Sequence, residues 1–236
     1  IYAVGLNLIL GVAGQFSLGH AGFIAIGSYS GAILGKMMNG LPGLFAGMAV
    51  GVVISVIVAF LVGLPTLRLK GDYLAIATLG VAEIIRVAVT NMKITNGAAG
   101  ISGVPLTNTW TITYIALVLT TILILNYTFS SAGRATYAVL QDEIAAESMG
   151  VQVTKYKILA FVLGAATASI GGTLSATTLG AVTPSDFTFM KSIEVLIIVV
   201  FGGIGSFTGS FVAAVLLGII NLVLQPFGQL RMIIYA

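Results

Sequence analysis

LFAGMAVGVVISVIVAFLVGL, residues 44–64, carries no charged side chain. As a helix rising about 1.5 Å per residue it reaches about 30 Å, the thickness of bilayer hydrocarbon. A second pattern begins one residue earlier and runs through the same stretch. Gly43, Gly47, Gly51, Ser55, Ala59 and Gly63 recur every four positions, which keeps them on one helix face where backbones can approach closely. Working outward, further apolar segments lie at roughly 1–13, 21–38, 73–92, 110–129, 158–180, 193–203 and 208–224, with a stub at 230–236. Two more rows of small residues appear, Gly27, Gly31 and Gly35 in one segment and Ala160, Gly164, Ala168, Gly172 and Ala176 in another. The rows predict a compact bundle.

Composition agrees. Of 236 residues, 58% are hydrophobic and 7% charged, against roughly 25% charged in soluble domains. The ten-residue alternating segments of a transmembrane β-barrel are absent. The fold class is all-α, a polytopic integral membrane helical bundle of about seven to nine segments, a single transmembrane domain over residues 1–236. The net charge of +3 points to no nucleic-acid partner. Without cysteine there are no disulfides or thiolate metal sites. The chain starts at Ile1 and ends inside an apolar run, so it is read as a fragment truncated at both ends.

GRATYAVLQDEIAAESMGVQVTKYK, residues 133–157, is a polar island holding Arg134, Asp142, Glu143, Glu147, Lys155 and Lys157. With PTLRLKGD at 65–72 it places five cations on one side of the membrane, against Lys36, Lys93 and Lys191 on the other. The excess makes the island side cytoplasmic; Arg231 is not assigned to a side. The loop at 93–108 then faces outward. Within the island, residues 135–149 suit one helix with Tyr137, Leu140 and Ile144 on a shared face, stopped at Gly150. Such a helix can dock in a partner's groove. Its acidic residues argue against lying on anionic lipid.

Two segments are too short to cross alone, and each runs into a similar sequence. GVAGQFS at 11–17 reappears as GGIGSFT at 202–208. Glycine-interrupted apolar segments in two halves of a chain point to the midplane of a transport pathway, and broken helices are tolerated only inside protein or beside water. Asn7, Gly11, Gly14, Gln15, Ser17 and His20 mark the first break; Gly202, Gly205 and Thr208 mark the second. Glu83 and Arg86 share a helix face within the segment 73–92 and are expected to pair or to border a polar cavity; Lys191 and Glu194 are spaced alike. His20 has no second ligand for a metal, and neither a phosphate-binding loop nor a catalytic cluster is present. The chain is therefore not read as an enzyme, and energy for uphill movement would enter from elsewhere.

EIAAESMG at 143–150 resembles the E-A-A-x-x-x-G loop of ATP-binding cassette importer permeases, with Ala145, Ala146 and Gly150 in register and Ile144 where the consensus has Glu. The whole chain is similar to the branched-chain amino acid permease family, M-type subunit. The matching blocks are GLNLILGVAGQFSLGHAGF (5–23), LRLKGDYLAIATL (67–79), TNGAAGISGVP (95–105), DEIAAESMG (142–150) and SIEVLIIVVFGGIGSFTG (192–209). GQFSLGHA separates it from the H-type subunit. The resemblance implies a prokaryotic cell-membrane importer with a second permease subunit, two cytoplasmic ATP-binding subunits that hold the ATP, and an extracytoplasmic substrate-binding protein. It implies no cofactor on this chain, and an ATPase-coupling role for Glu143, Ala145, Ala146, Glu147 and Gly150. A permease for urea or short amides of the same family, and a stand-alone secondary transporter, are the alternatives.

Overall fold

The computed structural model describes residues 1–38, 40–67, 69 and 71–224. Arg68, Lys70, Arg231 and the stub at 230–236 lie outside the described residues. The chain is a helical membrane bundle. Helix α1 (Tyr2–Asn7) runs into a π-helical turn, Leu8–Val12, and the chain is then irregular until α2 (His20–Met37). Helices α3 (Leu41–Thr66), α4 (Asp72–Asn91) and α5 (Trp110–Phe129) follow. After them come α6 (Ser131–Gln141), α7 (Glu143–Ser148), α8 (Val153–Leu179), α9 (Phe189–Gly202) and α10 (Phe207–Leu224). The strands Ile101–Ser102 and Ala181–Val182 form one antiparallel pair at the end of the bundle opposite α7.

Among the described residues, α3, α4, α5 and α8 are long and apolar enough to cross a membrane. The expected count of seven to nine also draws on α1 with its π turn, α2, α9 and α10, which are shorter or more polar. Val53, Ile57 and Leu61 on α3 and Tyr114, Leu119 and Ile122 on α5 are exposed, an apolar surface suited to hydrocarbon.

Helix α8 is the centre, and the three rows of small residues explain why. Added carbons would sit 2.0 Å from the Ser169 carbonyl oxygen at Gly27 and 2.8 Å from the Gly31 Cα at Gly47, so α2, α3 and α8 touch backbone to backbone. Hydrogen bonds cross the seam from Ser28 Oγ to the Gly172 carbonyl (3.0 Å) and from Thr173 Oγ1 to the Gly27 carbonyl (2.9 Å). In a bundle without a hydrophobic drive between helices, close packing and such bonds supply the cohesion. Phe23 and Phe161 close the seam edge to face at 5.6 Å.

Candidate functional site

The two breaks, nearly 200 residues apart in sequence, are in contact. Asn7 is fully buried and joins them. Its Oδ1 accepts from the Gly205 N–H (2.8 Å), and its Nδ2 donates to the Ser206 carbonyl (2.9 Å) and to Ser210 Oγ (2.9 Å). One acceptor and two donors satisfy the amide. A carbon on Gly11 would lie 2.2 Å from the Gly205 nitrogen, so only glycine permits this approach. The second break is a sharp reversal. Gly203 and Gly205 have φ of 91° and 86°, and a carbon on Gly202 would lie 2.5 Å from the backbone of Ser210. Helix α9, at 14 residues, is about 21 Å long, short of a full crossing, as its sequence predicts.

Three helices hold the first break. Thr78 Oγ1 on α4 accepts from the Leu18 N–H (3.1 Å), and Ser192 Oγ on α9 accepts from the Ala21 N–H (3.0 Å). The latter supplies the N-terminus of α2 with a partner that its own sequence lacks. His20 Nε2 donates to the Tyr2 carbonyl on α1 (3.1 Å), which leaves Nδ1 as a lone-pair acceptor. Gln15, Ser17 and His20 are all buried. The two side-chain amide atoms of Gln15 and Nδ1 of His20 have no hydrogen-bond partner. An unsatisfied buried amide costs about 1–3 kcal/mol, so Gln15 is the side chain of this break with most to gain from a polar partner.

The other residues expected along the pathway are less enclosed. Gly14 and Thr208 are exposed, and Thr208 Oγ1 lies 3.3 Å from Ser206 Oγ. Glu83 pairs with Arg86 along a half-exposed flank of α4, so α4 reaches the breaks through Thr78 and not through its charges. Lys191 and Glu194 pair at 2.9 Å. Among the described residues no three His, Cys, Asp or Glu could hold a metal ion. Thr78, Ser192 and Ser210 complete the site. No sequence signal distinguishes them, because each is one hydroxyl among many in apolar segments.

The island departs from the single helix expected over 135–149. It breaks at Asp142, whose carboxylate caps α7 by accepting from the N–H groups of Ile144 (2.8 Å) and Ala145 (3.1 Å). The expected common face is thereby split: Tyr137 and Leu140 turn into the protein, while Ile144 and Met149 are 76% and 84% exposed. Ala145 and Glu147 are exposed, but Ala146 is buried. Glu143 pairs with Lys157 on α8. Gly150 ends α7 at φ +84° with open space around it. Its N–H bonds to the Glu147 carbonyl (2.9 Å), and that of Val151 bonds to Ala146 (3.0 Å), a Schellman closure.

Comparison with known proteins adds the lineage. The chain is 36% identical, over 99% of its length, to the high-affinity branched-chain amino acid transport system permease protein LivM of Salmonella typhimurium, and 35% identical to that of Escherichia coli. It spans 63% of the length of each. The corresponding LivH protein of Salmonella typhimurium is 25% identical over 93% of the chain and 79% of its own length. No solved structure matches. The model of the branched-chain amino acid transport system permease component matches residues 1–235. With the Asn7-joined breaks and an all-helical membrane bundle beneath it, that match makes this chain a member of the branched-chain amino acid transport system permease component family, a family of transport permeases and not of enzymes.

Proposed function

We propose that the chain is the permease core of an ATP-binding cassette importer in a prokaryotic cell membrane, carrying branched-chain amino acids delivered by an extracytoplasmic binding protein. It works beside a second permease subunit, and two cytoplasmic subunits bind and hydrolyse the ATP. The observation that carries this reading is the surface of α7: Ile144 and Met149 project from a polar segment beyond the spans, 76% and 84% exposed. Apolar side chains so placed are anchors for a partner groove. Arg134 and Lys155 lie at the same end, which favours the cytoplasm. Ala145, Glu147 and Gly150 border the anchors, while Glu143 and Ala146 hold the helix from beneath.

In this reading the joined breaks form the gate. Binding of ATP moves α6 and α7, and the tightly packed bundle rocks between two states. Solute passes the region of Asn7, Gly11, Gln15, Ser17 and His20 on one side and Gly202 to Thr208 on the other.

The test uses the assembled transporter in proteoliposomes. Ile144→Asp is expected to abolish retention of the ATP-binding subunits while the permease subunits remain folded, and to end leucine uptake. Undiminished ATP-dependent uptake by this variant sinks the docking claim. Uptake without the ATP-binding subunits would make the protein a secondary transporter, and uptake of urea or short amides in place of leucine would overturn the substrate.

A further inference from the structure

The proposed docking segment also reaches the first break outside the main core. Leu140, on the inward face of α6, rests on Gly14: a carbon at Gly14 would lie 2.5 Å from Leu140 Cδ1. Gly14 also has φ +66°, a conformation that favours glycine, so the residue combines the backbone and the space that this seat requires. Around the contact lies a separate apolar cluster. Val12 and Ala13 from the first break pack with Ile124 and Tyr127 of α5, with Tyr137 of α6 at its edge and Phe207, from the second break, beside it. Tyr127 and Thr136 share a hydrogen bond of 2.6 Å, tying α5 to α6. The next residue after Gly14 is Gln15, 2% exposed, with both amide atoms unpartnered.

We infer that Leu140 transmits movement of the docking segment to the first break by bearing on Gly14, and that this movement uncovers the Gln15 amide. The inference rests on the importer reading above. Its physical basis is asymmetry at the gate. The Asn7 side chain has three hydrogen bonds, whereas the Gln15 side chain has none, so a small shift at Gly14 that opens Gln15 to water or solute lets its amide gain partners. A packed element with two such arrangements can be biased from one side. The uncovered amide presents both a donor and an acceptor, chemistry that fits the carboxylate and ammonium of a zwitterionic amino acid.

The sequence has no cysteine, so Gln15→Cys introduces a single thiol into it. In the full transporter, with cysteines of the other subunits replaced, its modification by a small hydrophilic maleimide is compared between the nucleotide-free state and the state trapped with ATP and orthovanadate. The expected difference in rate is about tenfold. Adding Leu140→Ala is expected to collapse it to within about twofold, Leu140→Val to reduce it, and Leu140→Met to restore it. With Gln15 left in place, uptake per ATP hydrolysed by the same Leu140 variants should fall and recover in the same order. The milder Val variant retains an apolar side chain, so the series does not depend on the Ala variant assembling. A difference that persists in the Ala and Val variants overturns the inference alone. A thiol labelled equally in both states of a complex that still hydrolyses ATP also overturns it. Absence of ATP-dependent uptake by the unsubstituted complex overturns the importer reading and the inference together.

Discussion

Asn7 and Gln15 show how much one amide can decide. Both are buried polar side chains beside a helix break, and sequence marks both for the same reason: they interrupt an apolar run next to glycines. Only the structure separates them. Asn7 commits both of its donors and its oxygen to Gly205, Ser206 and Ser210, partners that no local pattern could connect to it across about 200 positions. Gln15 spends none of its side-chain capacity. Asn7→Leu removes three bonds at once and leaves buried groups unpaired, each worth about 1–3 kcal/mol. The bulkier chain would also press on the Gly11–Gly205 contact. The purified protein should therefore lose thermal stability. Asn7→Asp should be nearly as damaging, because it sets a second oxygen against the Ser206 carbonyl in place of a donor. A melting temperature unchanged in both variants would remove Asn7 as the clamp between the breaks.

At the scale of elements, most spans were legible. An apolar run sets the extent of a membrane helix almost by itself, and α5 runs from Trp110 to Phe129, the limits the sequence suggests. The segment between α5 and α8 was not. Read by periodicity, Asp142 is one polar residue on the outer face of a continuous helix. Physically it is a favoured N-cap, whose carboxylate satisfies N–H groups that a new helix leaves free, and the chain breaks there. The partner of Glu143 was equally hidden, since Lys157 lies on the next helix and one turn of loop intervenes. That ion pair fixes α7 to α8, the central helix of the bundle, and so defines how α7 is held. Lys157 is buried, with its side chain 10% exposed. Glu143→Gln would leave its ammonium without the carboxylate, a loss of up to about 3 kcal/mol. In the importer proposed above, we expect this variant to keep the ATP-binding subunits attached but to lower leucine uptake per ATP hydrolysed. The paired reversal Glu143→Lys with Lys157→Glu should recover part of that loss. Full coupling in Glu143→Gln would show that the pair is dispensable to the position of α7.

For the whole molecule, the three rows of small residues were the strongest sequence signal of architecture, because a four-residue repeat of Gly, Ala and Ser has few uses in a membrane helix other than close approach. The rows do converge, on the seam of α2, α3 and α8. What they could not convey was which helix lies in the middle, or that the two short helices would meet behind Asn7; both depend on pairings between distant segments. The seam makes a discriminating prediction, since not every glycine belongs to it. A methyl group at Gly27 would have to enter the space of the Ser169 carbonyl oxygen, 2.0 Å away, whereas one at Gly218 on α10 would meet nothing within 4 Å. Overpacking of the first kind costs about 1–3 kcal/mol. Alanine in place of an open helical glycine gains up to about 1 kcal/mol. Gly27→Ala should therefore lower the thermal unfolding temperature of the detergent-solubilised protein, and Gly218→Ala should hold or raise it. If the two variants melt together, the backbone contact at Gly27 is not what holds α2 against α8, and cohesion of the bundle would have to be sought in the hydrogen bonds from Ser28 and Thr173 that cross the same seam.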